Sequence, residues 1–303
     1  MNQTMIHELR ERFPALSMAE NEPLARHTSF RIGGPAALVV KPSSAGQTAQ
    51  LCRFLRRAGE KPLLLGRGTN VLVDDRAHDK IVLVTGEAAD AVRVEGTAVT
   101  AECGALLSRT AAAAQEAGLA GLEFAAGIPG SIGGALYMNA GAYGGEMKQV
   151  VTRTDWLDAE LVERTVCGAE HEFGYRQSVF MREGGIVLRT EMALAEDDPA
   201  AIAGRMRDLA AKRRASQPLE LASAGSFFKR PEGAFAGALI EQAGLKGRRV
   251  GGARVSEKHA GFLVSDGTAT FDDVLRLMEL VQETVLRASG YALEPEVRII
   301  RAE

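Results

Sequence analysis

Long apolar runs are absent. Nowhere does the 303-residue chain approach the ~20 consecutive apolar residues of a membrane span. Its first residues, MNQTMIHELRERF, mix charges with apolar positions where a secretory leader needs an unbroken apolar core, so a cytoplasmic protein without membrane insertion is expected. Cysteine is scarce: Cys52, Cys103 and Cys167 are odd in number and far apart, which excludes a disulfide framework and a C-x-x-C metal site and predicts three small buried hydrophobes. The five histidines show no H-E-x-x-H or comparable spacing, so no metal is expected, and His259 reads as a hydrogen-bonding structural residue. Neither charge sign dominates. A net charge of −3 argues against a nucleic-acid binder, and the locally basic Arg205 to Arg214 reads as the solvated side of a helix. Repeats and low-complexity tracts are missing too.

Glycine is plentiful. The stretch from Gly127 to Gly145, GIPGSIGGALYMNAGAYGG, holds seven glycines, with Gly121 just upstream. Each glycine costs roughly 1 kcal/mol of ordering inside a packed helix or strand, so a loop whose backbone approaches something is expected. Main-chain N–H groups without a Cβ in the way form a concavity that suits a phosphate. A second such segment, Gly66-Arg67-Gly68-Thr69-Asn70, follows the apolar run 62–65. One loop alone reads equally well as a plain turn. Two together indicate a ligand with two ends, or a diphosphate. The spacing matches neither G-x-G-x-x-G nor G-x-x-x-x-G-K-[ST], so a dinucleotide fold other than Rossmann is indicated.

Periodicity and turn residues predict an α+β fold. A short helix over 6–13 and an extended link over 14–23 come first. A strand over 36–40, a helix capped by Ser43 or Ser44 and ended by Gly59, and a strand over 62–65 form a β-α-β unit that delivers the first glycine loop at a strand's end. Strands at 81–84, 92–94 and 99–101 and a helix over 105–117 precede the long glycine stretch. A hairpin (150–157 and 161–166) and a strand over 186–194 follow it. The acidic break Glu196-Asp197-Asp198-Pro199 marks a boundary, giving expected segments 1–22 (helix and link), 23–197 and 198–303. Helices are expected over 200–214, 234–243 and 271–289, the last with Phe271, Val274, Leu275, Met278, Val281 and Val285 on one core face, and a final strand to Ile300.

Seven segments, in order and over nearly the whole length, carry a resemblance: HTSFRIGGPA (27–36), GRGTNVLV (66–73), GLEFAAGIPGSIGGALYMNAGAYG (121–144), FGYRQSVF (173–180), AGSFFKRP (224–231), VSEKHAGF (255–262) and LEPEVRII (293–300). The chain resembles the UDP-N-acetylenolpyruvoylglucosamine reductases, in their shorter class that lacks an extra lid segment. The resemblance implies a two-lobed FAD-binding fold of the vanillyl-alcohol-oxidase type over 23–197 and a substrate-binding C-terminal domain over 198–303. It implies NADPH-dependent, FAD-mediated reduction of UDP-N-acetylglucosamine enolpyruvate to UDP-N-acetylmuramate, a step of peptidoglycan precursor and hence cell-wall synthesis. Arg176, Ser226 and Glu296 fall on the family's catalytic positions. Gly66, Arg67, Gly68, Thr69, Asn70 and Val71 in the first loop are expected to hold FAD. So are Gly127, Ile128, Pro129, Gly130, Ser131, Gly133, Gly134, Asn139 and Gly141 in the second. Tyr175, Lys229 and Arg298 are expected to touch substrate.

The chemistry explains these residue types. A guanidinium steadies the enolate-like charge that grows on the substrate carboxylate, and a serine hydroxyl can deliver a proton to C2. Thr69 replaces a common serine, while Arg230 and Ser265 stand where relatives carry asparagine. An FAD-dependent alcohol or sugar oxidase and a non-catalytic flavin sensor are the rival readings. No histidine or cysteine stands inside the glycine loops as a covalent flavin anchor, against the first, and the retained catalytic trio opposes the second.

Overall fold

The computed structural model describes residues 3–86 and 89–302. Two compact units emerge: 1–20, 38–67 and 80–213 in the first, and 21–37, 68–79 and 214–303 in the second. These bounds differ from the segments expected from composition, because the helix that follows the acidic break belongs with the first unit up to Arg213.

In the first unit, the helix Gln3–Arg12 and the helix Ala45–Arg57 share an apolar core built from Ile6, Leu9, Leu38, Val40, Leu51, Leu55, Ile81 and Leu83. Ser44 caps the second helix, its hydroxyl accepting the Gln47 N–H at 3.1 Å, as its sequence position predicts. The strands Ser17–Pro23, Pro35–Lys41, His78–Val84 and Leu63–Leu65 form one sheet in that order, the last two parallel. The expected β-α-β unit is there, with His78–Val84 inserted between its two strands. The supposed link over 14–23 contributes an edge strand despite its charges, since an edge exposes one rim to water.

The second sheet of this unit is antiparallel, in the order Glu163–Cys167, Val151–Leu157, Ile186–Ala193, Ala98–Glu102 and Val92–Glu95. Asp158 makes the hairpin turn, its Oδ1 accepting the N–H groups of Glu160 (3.0 Å) and Val162 (2.9 Å). Against the sheet lie the helix Leu107–Glu116 and a buried pair, Trp156 and Phe180, edge-to-face at 5.4 Å.

One expectation needs correction here. Cys52 and Cys103 are buried, with burial pushing both thiols up to about 12, but Cys167 is exposed at the end of an edge strand. The helix Pro199–Ser216 buries only Ile202 and, as expected, presents Arg205, Arg207, Lys212 and Arg214 to water, with Arg213 half-buried. Arg205 pairs with Glu123 at 2.7 Å and Asp197 at 2.6 Å. Further along, Arg213 reaches the glycine stretch.

The second unit contains an antiparallel sheet in the order Ala222–Ser226, Phe262–Ser265, Ala253–Val255 and Arg249–Val250. Its helix Phe271–Ser289 has the predicted bounds, Thr270 capping the start and Gly290, at φ 76°, the end. Val274, Leu277, Val281 and Val285 are fully buried, packed with Phe227, Ile240, Val255 and Leu263. The expected last strand is Arg298–Ile300, parallel to Val71–Val73.

Candidate active site

The glycine stretch is less open than its composition suggests. A short helix, Ile132–Tyr137, lies inside it. Gly133 permits this: a Cβ there would stand 3.1 Å from Cys103 Cβ, and its N–H donates to the Cys103 carbonyl at 2.8 Å. That glycine serves close packing rather than exposure. Just before the helix, Ser131 is 1% exposed and its hydroxyl has no hydrogen-bond partner among the described residues. A Cβ on Gly66 would collide with that hydroxyl, so the two glycine segments meet here within the first unit. A buried hydroxyl without a partner, beside backbone that must stay bare, fits an anionic oxygen acceptor such as a flavin diphosphate.

Arg213 closes one end of the stretch. Its guanidinium donates to the Gly127 carbonyl at 2.5 Å and lies 5.9 Å from the Tyr143 ring, and desolvation lowers its pKa. Arg67 donates to the Gly86 carbonyl at 3.3 Å. Ile128 and Gly130 are half-buried, Pro129 and Gly134 exposed. Gly141 pairs with Glu146 in a short two-stranded turn. Asn139 is buried and its carboxamide is committed within the protein: Nδ2 donates to Glu146 Oε2 (3.1 Å) and the Gly174 carbonyl (3.0 Å), while Oδ1 accepts the Lys148 N–H (2.9 Å).

Those bonds bring the stretch to the segment carrying Tyr175 and Arg176. Gly174 and Gln177 pair through two backbone bonds of 3.2 Å, making a tight reversal with Tyr175 and Arg176 at its tip. Arg176 has φ 54°, a left-handed conformation that costs a non-glycine residue about 1–2 kcal/mol. Strain of this kind persists where surrounding structure enforces it. Its guanidinium lies 5.2 Å from the ring of exposed Tyr175. Upstream, the fully buried His171 stacks on Phe173 at 4.9 Å. The His171 Nδ1–H donates to the Gly168 carbonyl (2.9 Å), and Nε2 and Thr154 Oγ1 share a hydrogen bond of 2.9 Å. Burial lowers its pKa below the usual 6.5, against the pull of the Gly168 carbonyl and Glu170.

The second unit gathers the remaining expected residues. Ser226 is exposed at the end of its strand, paired across to Phe262. The next residue, Phe227, is locked by its backbone: its N–H donates to Gly261 O and its carbonyl accepts from the Glu296 N–H, both 2.8 Å. Asn70 Nδ2 donates to the Glu296 carbonyl at 3.2 Å, and the Asn70 carbonyl accepts the Arg298 N–H at 3.0 Å. Asn70 and Val71 of the first loop are thus tied to Glu296 and Arg298, and Glu296 in turn to Phe227, the residue after Ser226. Lys229 pairs with Glu294 at 3.0 Å. Arg230 stacks 4.0 Å from the Phe235 ring, and Ser265 Oγ accepts the Gly267 N–H at 3.0 Å. His259 is structural as expected, its Nδ1 accepting the Gly261 N–H at 3.1 Å. Among the described residues no group of three His, Cys, Asp or Glu side chains could hold a metal, and no helix is long and apolar enough to cross a membrane.

Comparison with known proteins places this geometry. Residues 36–160 match the family model described as an FAD binding domain, and residues 217–300 the UDP-N-acetylenolpyruvoylglucosamine reductase C-terminal domain. The chain is 45% identical to the UDP-N-acetylenolpyruvoylglucosamine reductase of Agathobacter rectalis, over 99% of each protein. It belongs to the UDP-N-acetylenolpyruvoylglucosamine reductase family. The reductase of Caldanaerobacter subterraneus subsp. tengcongensis is 43% identical over 99% of each chain. The crystal structure of the reductase (MurB) from Thermus caldophilus superposes with a TM-score of 0.79 at 34% identity, covering 94% of this chain and 98% of that one. An alkyldihydroxyacetonephosphate synthase, 13% identical with a TM-score of 0.50 over 65% of this chain and 41% of its own, shares the fold alone. The expected FAD-binding fold followed by the reductase C-terminal domain is borne out. The FAD-binding match spans both glycine segments and the Ser131 hydroxyl.

Sequence reasoning missed Arg213, the His171 network and the internal use of Asn139. Only the last left a signal, since asparagine is enriched in the left-handed region that Asn139 occupies at φ 42°.

Proposed function

We propose that this protein reduces UDP-N-acetylglucosamine enolpyruvate to UDP-N-acetylmuramate with NADPH as the electron source, a cytoplasmic step in making cell-wall precursor. The observation that carries this reading is near-full-length similarity to proteins named for that reaction. FAD, when bound, supplies the hydride it has taken from NADPH. The Ser131 hydroxyl and the bare backbone about Gly66, with Gly130 and Gly134, would hold its diphosphate.

The remaining work falls to side chains of this chain. Two hydrogens add across the enolpyruvyl double bond, a hydride at C3 and a proton at C2. Arg176 and Arg298 stabilise the negative charge that moves onto C2 and the adjoining carboxylate, a task suited to a fixed guanidinium. Ser226 delivers its hydroxyl proton to C2, and its exposed position at a backbone-locked strand end suits a general acid. Glu296, two residues before Arg298, steadies that guanidinium. Tyr175 and Lys229 contact the substrate.

The test is the visible spectrum of the purified protein, followed by NADPH oxidation with and without the enolpyruvyl substrate. A flavin spectrum and substrate-dependent oxidation are expected. A colourless protein that FAD does not reconstitute, or oxidation indifferent to the substrate, contradicts the reading.

A further inference from the structure

Asn139 lies in the glycine stretch, yet its side chain faces protein. Both N–H bonds of its carboxamide are used, one on Glu146 and one on the Gly174 carbonyl, and Oδ1 takes the Lys148 N–H. A contact from this amide to a cofactor would require breaking one of these bonds inside a site that is 1% exposed. The Gly174 carbonyl closes the reversal that presents Arg176, so the bond from Asn139 acts on the base of that reversal. A second tether runs beside it: Ser178 Oγ donates to the Tyr137 carbonyl at 2.8 Å, while Ser178 also caps the next helix by accepting the Met181 N–H. Both ends of the strained turn are therefore referenced to one short segment, 137–139, at the end of the helix in the glycine stretch.

We propose that Asn139 is a positioning residue for Arg176, setting the register between the glycine stretch and the Gly174–Gln177 reversal. The proposal rests on the reading of Arg176 given above. A turn held in a left-handed conformation relaxes when its anchor goes, and a displacement of about 1 Å at a charge-stabilising group is worth up to ~100-fold in rate. Asn139 does not bear on hydride transfer from NADPH, which precedes any need for the guanidinium.

Two substitutions separate positioning from folding. Asn139→Asp removes both N–H donors and sets a carboxylate against Glu146. Adding Glu146→Gln restores a donor between positions 139 and 146, but leaves the Gly174 carbonyl without its amide. FAD affinity of the apoprotein is measured by fluorescence, and each half-reaction by anaerobic stopped-flow absorbance. In the double variant, FAD affinity within about 3-fold of the parent and NADPH reduction within about 2-fold are expected, with reoxidation by substrate slowed about 10- to 100-fold. Glu146→Gln alone keeps the bond to Gly174 and reoxidises near the parent rate. Equal slowing of both halves, or a double variant that is unfolded or loses its flavin, overturns the proposal in favour of a cofactor or folding role. Unchanged reoxidation also overturns it. Arg176→Asn distinguishes the two levels: if it slows reoxidation while the Asn139 double variant does not, only this proposal fails. If Arg176→Asn has no effect, the reading of Arg176 fails and this proposal falls with it.

Discussion

The turn that carries Arg176 and the strand end that carries Ser226 are anchored differently. Two backbone bonds close the first, but side chains anchor it to its surroundings: Asn139 on Gly174, Ser178 on Tyr137, and His171 stacked on Phe173, with Arg176 itself in a left-handed conformation. Main-chain bonds hold the second, where Phe227 is fastened to Gly261 and Glu296. A backbone lock is indifferent to most substitutions because every residue but proline carries the same groups. A side-chain lock is specific, and it is lost one residue at a time. The molecule thus fixes the turn that carries Arg176 by a device open to tuning and the strand end that carries Ser226 by one that is not.

The sharpest break in that contrast comes from Arg176→Asn. Asparagine tolerates the left-handed conformation, so thermal stability should stay within about 2 °C of the parent. Reduction of the enolpyruvyl substrate should fall by ~100-fold or more, the usual loss on removing a fixed charge-stabilising donor. Steady-state kinetics beside a melting curve decide it, and retained activity would detach Arg176 from the chemistry.

A smaller effect sharpens the other side. Gly225 precedes Ser226 with φ 79° and open space around its missing Cβ, so Gly225→Val meets backbone strain and no collision. Destabilisation of about 1–2 kcal/mol in urea is expected. A value near zero would show that the strand end bends freely, contrary to a backbone lock.

The smallest effect is with pH. Burial depresses the His171 pKa below 6.5, so the unfolded chain takes up a proton first as pH falls. Its contribution is fully present above about pH 6.5 and is lost as pH drops from there through the depressed value. Chemical denaturation between pH 7.5 and 5 should show stability declining with acid, and His171→Gln should flatten the slope. His259, also depressed chiefly by burial, contributes in the same direction and stays in both proteins. An unchanged slope would remove His171 from the account.

How much was legible depends on how local the cause is. The helix Phe271–Ser289 was readable to the residue because Val274, Met278, Val281 and Val285 recur at its period, and the structure adds a threonine cap and a glycine stop at those bounds. The strand Ala222–Ser226, reading ASAGS, has no β-branched or aromatic residue, and only pairing with Phe262–Ser265 makes it a strand. Arg213 looked like a surface residue because its partner, Gly127, lies 86 positions away. The Asn139–Gly174 bond spans 35 residues and His171–Thr154 spans 17, distances over which spacing carries no signal. The resemblance supplied the register of Arg176, Ser226 and Glu296. What each side chain is tied to needed the fold.

The most direct test of the central claim concerns Ser226. A hydroxyl that only protonates C2 has no part in the reaction with NADPH, so Ser226→Ala should bleach its flavin with NADPH at nearly the parent rate. Anaerobic stopped-flow should then show reoxidation by the enolpyruvyl substrate slowed at least ~100-fold, the usual loss of a positioned general acid, with part of the rate restored in Ser226→Cys. Equal slowing of both half-reactions, or none in the second, would contradict the assignment of Ser226 as proton donor.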